Sequence, residues 1–195
     1  LCDVITQRKN QIVSKMERKL LEDNCDTFIR YNEAIDILNK VKKHNEPTLQ
    51  HQVSARKPFG FDTTFKGDRI SATKQIKLYQ NSGVGFISRE LVTKNSQLID
   101  RYKVLIPRAG SGSDSFPHSI LGLPFIAEPQ SACTETYIVL GDYDTETECH
   151  NLCSYVQTRF FRFLVLLIKS TQDASARVYS FVPIQDLKEP WSDEK

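Results

Sequence analysis

Thr145-Glu146-Thr147-Glu148 opens the stretch that decides the fold. An apolar stripe follows through Cys149, Leu152, Cys153, Val156, Phe160, Phe163, Leu164 and Leu167. The steps are three or four residues each over about six turns, the period of an amphipathic helix. Thr145 and Glu148 have the spacing of a capping box, with Asp144 just before them. Arg159, Arg162 and Lys169 fall off the stripe or beside it. The pattern predicts one long helix whose aromatic and aliphatic side is core packing.

The residues before this helix read as strands. Lys74 to Tyr79 alternates, with Ile76 and Leu78 on one side and Lys77 and Tyr79 on the other. Asn81-Ser82-Gly83 reads as a hairpin turn and Val84 to Ser88 as the return strand. Asn95 or Ser96 is placed to cap a short helix through Arg101. Tyr102 to Pro107 and Thr134 to Leu140 are further strands, and Arg177 to Ile184 is a last one. A sheet with one helix laid across it is an α+β arrangement, mixed or antiparallel, not an alternating βαβ one.

The first 50 residues carry a different pattern. Ile5, Ile12, Met16, Leu20 and Leu21 recur at helical steps, and Phe28, Ile35, Leu38 and Val41 form a second stripe. Lys40, Lys42 and Lys43 occupy what would be the last turn, where cations suit the helix dipole. Residues 1–50 are therefore expected to be a helical hairpin or spacer, and residues 51–195 a separate recognition domain. The chain opens on Leu1 and is expected to be a piece of a larger polypeptide.

Composition narrows the function classes. The chain has 195 residues, 39% apolar and 26% charged, an ordinary globular balance. Its longest apolar run, Phe163 to Ile168, is far below the roughly 18 residues of a membrane span. Five cysteines, with no Cys-x-x-Cys and no histidine at finger spacing, fit reduced thiols and a cytoplasmic location without a structural metal. No P-loop, dinucleotide fingerprint or nucleophile elbow occurs. Glu17-Arg18-Lys19 and Asp186-Leu187-Lys188 have the acid-x-Lys form of nuclease sites but lack the Pro-Asp that such a site needs on a neighbouring strand. No catalytic residue is assigned.

The net charge of +2 hides an asymmetry. Between Ser54 and Gly110 stand 11 Lys and Arg against 4 Asp and Glu, a net of +7, while the remainder of the chain carries −5. A basic segment inside a nearly neutral chain is the footprint of a polyanion partner. Arg56 and Lys57 lie on a Pro-Phe-Gly corner, and Lys66 and Arg69 bracket Gly67, whose main chain is a candidate phosphate contact. Lys74, Lys77 and Arg89 accompany the hairpin. Arg108 stands at a strand end, directly before the Gly/Ser loop that holds Ser111 and Ser113. An arginine so placed suits bidentate recognition of guanine. Each of these alone is more often a solvated charge; their concentration in one segment argues for a joint role.

The same residues carry a family resemblance. Ser54-Ala55-Arg56-Lys57-Pro58-Phe59-Gly60 is followed by Phe65-Lys66-Gly67, Tyr102-Lys103-Val104-Leu105-Ile106-Pro107-Arg108 and Thr134-Glu135-Thr136-Tyr137-Ile138-Val139-Leu140-Gly141. Then come Phe160-Phe161-Arg162-Phe163-Leu164, Thr171-Gln172-Asp173-Ala174, Val178-Tyr179-Ser180-Phe181-Val182-Pro183 and Pro190-Trp191. From about Ser54 to the end, this order resembles the C-terminal target-recognition region of bacterial restriction-modification adenine-specific DNA methyltransferases, including fused type II restriction-methylation enzymes. The resemblance implies a division of labour. An upstream domain would bind S-adenosylmethionine and methylate a flipped adenine at an Asn/Asp-Pro-Pro-Tyr/Phe motif. This chain has no such motif, so the resemblance implies double-stranded DNA recognition here, no cofactor in this chain, and the upstream domain as a partner. The rival expectation is a protein-interaction or scaffold module that contacts another restriction-modification subunit.

Overall fold

The computed structural model describes residues 1–23, 25–110 and 119–194. The class is mixed α+β, with eight strands and three α-helices among the described residues. The centre is a three-stranded antiparallel sheet of order β6-β5-β8, made of β5 (Tyr102–Pro107), β6 (Phe125–Ala127) and β8 (Tyr137–Tyr143). Strand side chains alternate between faces. Val104, Ile106, Ile138 and Leu140 join one core, and Leu105, Ala127 and Val139 join a second on the opposite face. Burial on both faces is why this stretch of sequence is a continuous apolar run.

The first core is closed by helices. α2 (Glu146–Gln157) starts at Thr145 with the expected capping box: Thr145 N–H donates to Glu148 Oε2 at 3.2 Å and Glu148 N–H to Thr145 Oγ1 at 3.3 Å. The expected single long helix is corrected to two. Thr158 has extended backbone (ψ 150°) and ends α2, and its hydroxyl then accepts from Phe161 N–H at 3.2 Å to start α3 (Arg159–Ile168). The same hydroxyl donates to Tyr155 O at 2.7 Å. One buried threonine thus caps both helices, and the stripe of apolar residues survives the break.

The second core is closed by the mixed sheet β4-β3-β7: β3 (Gln75–Gln80), β4 (Gly83–Ser88) and β7 (Ser131–Cys133). β3 and β4 form the expected hairpin, with Ser82 and Gly83 at positive φ. β3 and β7 pair in parallel. The strand expected at 134–140 is present from Tyr137 as β8, and its first residues, Thr134 to Thr136, are instead the joint between β7 in one sheet and β8 in the other. Asn95 precedes a short 3-10 helix (Ser96–Asp100), in left-handed conformation and with no capping bond. Its side-chain amide donates instead to Pro58 O at 2.7 Å.

The N-terminal expectation is corrected. Residues 2–18 are not helix but an antiparallel ribbon of β1 (Cys2–Arg8) and β2 (Gln11–Arg18). Lys9 and Asn10, both at positive φ (47° and 63°), form its two-residue turn. That geometry matches the right-handed twist of a hairpin. With no glycine in the turn, the usual signal was missing, and Ile5, Ile12 and Met16 kept a helical spacing by coincidence. The second expected helix is present as α1 (Ala34–Lys43), and its Ile35 and Leu38 share one core with α2 and α3. The expected last strand is also corrected. Ala176–Tyr179 is a 3-10 turn, and Pro183 makes only an isolated bridge with Thr48.

Candidate nucleic-acid interface

The β7–β8 joint places Glu135 between the two sheets. Its N–H donates to Phe61 O at 3.0 Å, and its side chain is 3% exposed. A carboxylate so buried requires cations, and three arrive from two distant segments. Arg56 Nε donates to Glu135 Oε1, Lys57 Nζ lies 3.9 Å from Oε2, and Arg108 Nη2 lies 3.6 Å from Oε1. Arg108 is held further. Its Nε donates to Glu135 O at 3.2 Å and its Nη1 to Asp173 Oδ1 at 2.7 Å. Its main chain pairs with Thr136 and Ala174. Arg108 is therefore mostly structural, whereas the side chains of Arg56 and Lys57 remain 69% and 39% exposed. Three cations face two carboxylates, so the cluster keeps a positive balance.

The other candidates divide. Lys77 pairs with Glu128, which also accepts from the Tyr79 hydroxyl. Burial pushes the Glu128 carboxyl up, but these two hydrogen bonds, a backbone hydrogen bond and the Lys77 charge together hold the group below its ordinary range. Arg89 meets Asp100 in a two-pronged ion pair at 2.6 and 2.5 Å. The hydrogen bonds raise the guanidinium's pKa and lower that of the carboxyl. Lys77 and Arg89 are thus neutralised, which the local spacing did not foretell because Glu128 is 51 residues from Lys77. Lys66 donates to Asn81 O. The Gly67 N–H, expected to face a phosphate, is already committed to Gln80 Oε1 at 2.8 Å. Arg69 and Lys74 are exposed and have no side-chain partner among the described residues. Ser111 and Ser113 lie outside the described residues.

Glu135 and Asp173 were not assigned roles from sequence. Glu135 carried a usable signal. It is the lone charge between Glu128 and Asp142 in an otherwise uncharged stretch, and a charge inside a buried strand is almost always paired. Among the described residues no group of three or more His, Cys, Asp or Glu is arranged to hold a metal ion, and no helix is long and apolar enough to cross a membrane. No family model matches the chain, and no curated protein matches it either.

Proposed function

We propose that this chain is a sequence-specific double-stranded DNA recognition module, the target-recognition part of an adenine DNA methyltransferase whose S-adenosylmethionine chemistry belongs to a preceding domain. The observation that carries the proposal is the convergence of Arg56, Lys57 and Arg108 on Glu135. A buried carboxylate orients exposed donors and lowers the entropy lost when they meet a ligand. Arg56 and Lys57 then present two directed cations beside Arg108. Phosphate contacts of this kind set affinity, and base contacts from neighbouring loops set specificity.

The test is duplex binding by fluorescence anisotropy between roughly 50 and 200 mM salt. The expected result is a strongly salt-dependent affinity that weakens about tenfold in Arg56→Ala/Lys57→Ala. Its log–log salt slope should fall by about 2, one contact per cation. Absence of duplex binding by the unaltered chain at low salt would overturn the proposal.

One observation favours the scaffold reading. A groove of about 500 Å³ runs between α1 and the start of α3, lined by Val41, Phe160, Pro183 and Trp191. Phe160 is among the exposed large apolar side chains. A stable complex with a partner subunit, abolished by Phe160→Asp and accompanied by indifference to duplex, would favour that reading.

A further inference from the structure

Among the described residues, the side-chain bonds that fasten the β1–β2 ribbon to the body reach no farther along it than Thr6 and Ser14. Asn32 donates to Val4 O and Ser14 Oγ, each at 3.0 Å, and Thr6 Oγ1 donates to Arg30 O at 3.4 Å. Beyond those contacts every residue from Gln7 to Val13 is exposed. The free part is two residues of β1, three of β2 and the two-residue turn, roughly 10 Å long at the rise of an extended chain. A B-DNA major groove is about 12 Å wide and about 8.5 Å deep, and it admits a two-stranded ribbon.

The composition of the free part is selective. Gln7-Arg8-Lys9-Asn10-Gln11-Ile12-Val13 holds two cations, three side-chain amides and two β-branched apolar residues, and no acid occurs from Val4 to Ser14. Arg8 and Lys9 have no side-chain partner among the described residues. Amides pair with adenine, arginine with guanine, and apolar groups with the thymine methyl. A second copy of the chain fits less well, because tip-to-tip pairing would bring like charges together.

The ribbon's base and the Glu135 cluster are linked through residues 169–173. Arg30, which accepts from Thr6 at the ribbon's base, donates to Lys169 O at 3.2 Å. Four residues on, Asp173 holds Arg108 at 2.7 Å. Four residues of chain reach at most about 14 Å, so Lys169, which receives Arg30 from the ribbon's base, and Asp173, which holds Arg108, stand no farther apart than that.

We infer that the β1–β2 ribbon is a second DNA-contacting element, a major-groove arm that reads base edges while the Glu135 cluster grips the backbone. This rests on the DNA-recognition reading and extends it to residues outside the basic middle of the chain. The test compares the unaltered chain with Arg8→Gln/Lys9→Gly, glycine being suited to the left-handed turn position. Two measurements are made: salt-dependent anisotropy on duplex DNA, and hydroxyl-radical footprinting. The arm variant is expected to bind about tenfold more weakly, with the salt slope lowered by about 2 and the footprint shortened at one end. If the variant matches the unaltered chain in slope and footprint, the arm assignment falls and the DNA-recognition reading stands. If the unaltered chain does not bind duplex at all, both fall. If affinity for DNA is unchanged but the chain is a dimer that Ile12→Asp dissociates, the ribbon is a self-association face and the inference is overturned.

Discussion

Arg18 Nε donates to the side-chain oxygen of Asn32 at 2.9 Å, and both residues are buried. This bond joins the end of β2 to the body of the protein. The same asparagine holds Val4 of β1 and Ser14 of β2, so one side chain fastens both strands. A two-stranded hairpin is marginal by itself in water. The ribbon's order therefore depends on Asn32 more than on its own ladder.

Asn32→Ala is expected to release the ribbon without unfolding the body. Three hydrogen bonds are lost and the buried Arg18 guanidinium is left short of one acceptor, a cost of about 2–3 kcal/mol. Hydrogen exchange should show amides of β1 and β2 exchanging roughly 30–100-fold faster, with those of β5 and β8 unchanged, as expected for local opening. A uniform acceleration across both sheets would show that the ribbon is not an independent unit.

Glu135→Gln separates charge from orientation. The substitution makes the chain more positive by one, which on long-range electrostatics alone strengthens binding to any duplex. It also takes away the carboxylate on which Arg56, Lys57 and Arg108 converge. Selection from a pool of random duplexes should then yield a narrower spread of affinities, with thermal stability reduced by about 1–3 kcal/mol. An unchanged spread would mean that orientation by Glu135 contributes nothing to discrimination.

Lys103 sets an alkaline rise in stability. Its side chain is fully buried and donates to Arg101 O at 2.9 Å and Glu128 O at 3.2 Å. Burial is the main cause that lowers its pKa from 10.5 to about 8. Between those values the unfolded chain binds more protons than the native one, so stability rises with pH. The buried thiols oppose this from pH 9 upward. Burial raises Cys149 to about 12 and Cys153 to about 11 from an ordinary 9.0. The native state then holds the extra protons, and stability falls. The window for Lys103 is accordingly pH 8 to 9, with a gain of roughly 1 kcal/mol in urea denaturation. Lys103→Met should abolish the rise and leave the decline above pH 9. Persistence of the rise in that variant would assign it to another group.

Much of this protein was legible from local pattern. The capping box at Thr145, the alternation of residues 74–79 and the turn at Asn81 to Gly83 depend on neighbours in sequence, and each is present as read. The failures are equally specific. A Lys9-Asn10 turn without glycine concealed a hairpin. Thr158 interrupted an apolar stripe whose spacing alone could not show a break. At the candidate site, the sequence by itself determined that cations are concentrated between Ser54 and Gly110. Only the tertiary structure decided which of them are spent. Lys77 and Arg89 are each taken up by one acid, Glu128 and Asp100, whereas Arg56 and Lys57 converge with Arg108 on the one buried carboxylate of Glu135, which is 79 residues from Arg56. The physical reason is that periodicity records which face of an element is buried. The partner of a charge is chosen by chain crossings that bring distant segments within hydrogen-bond reach.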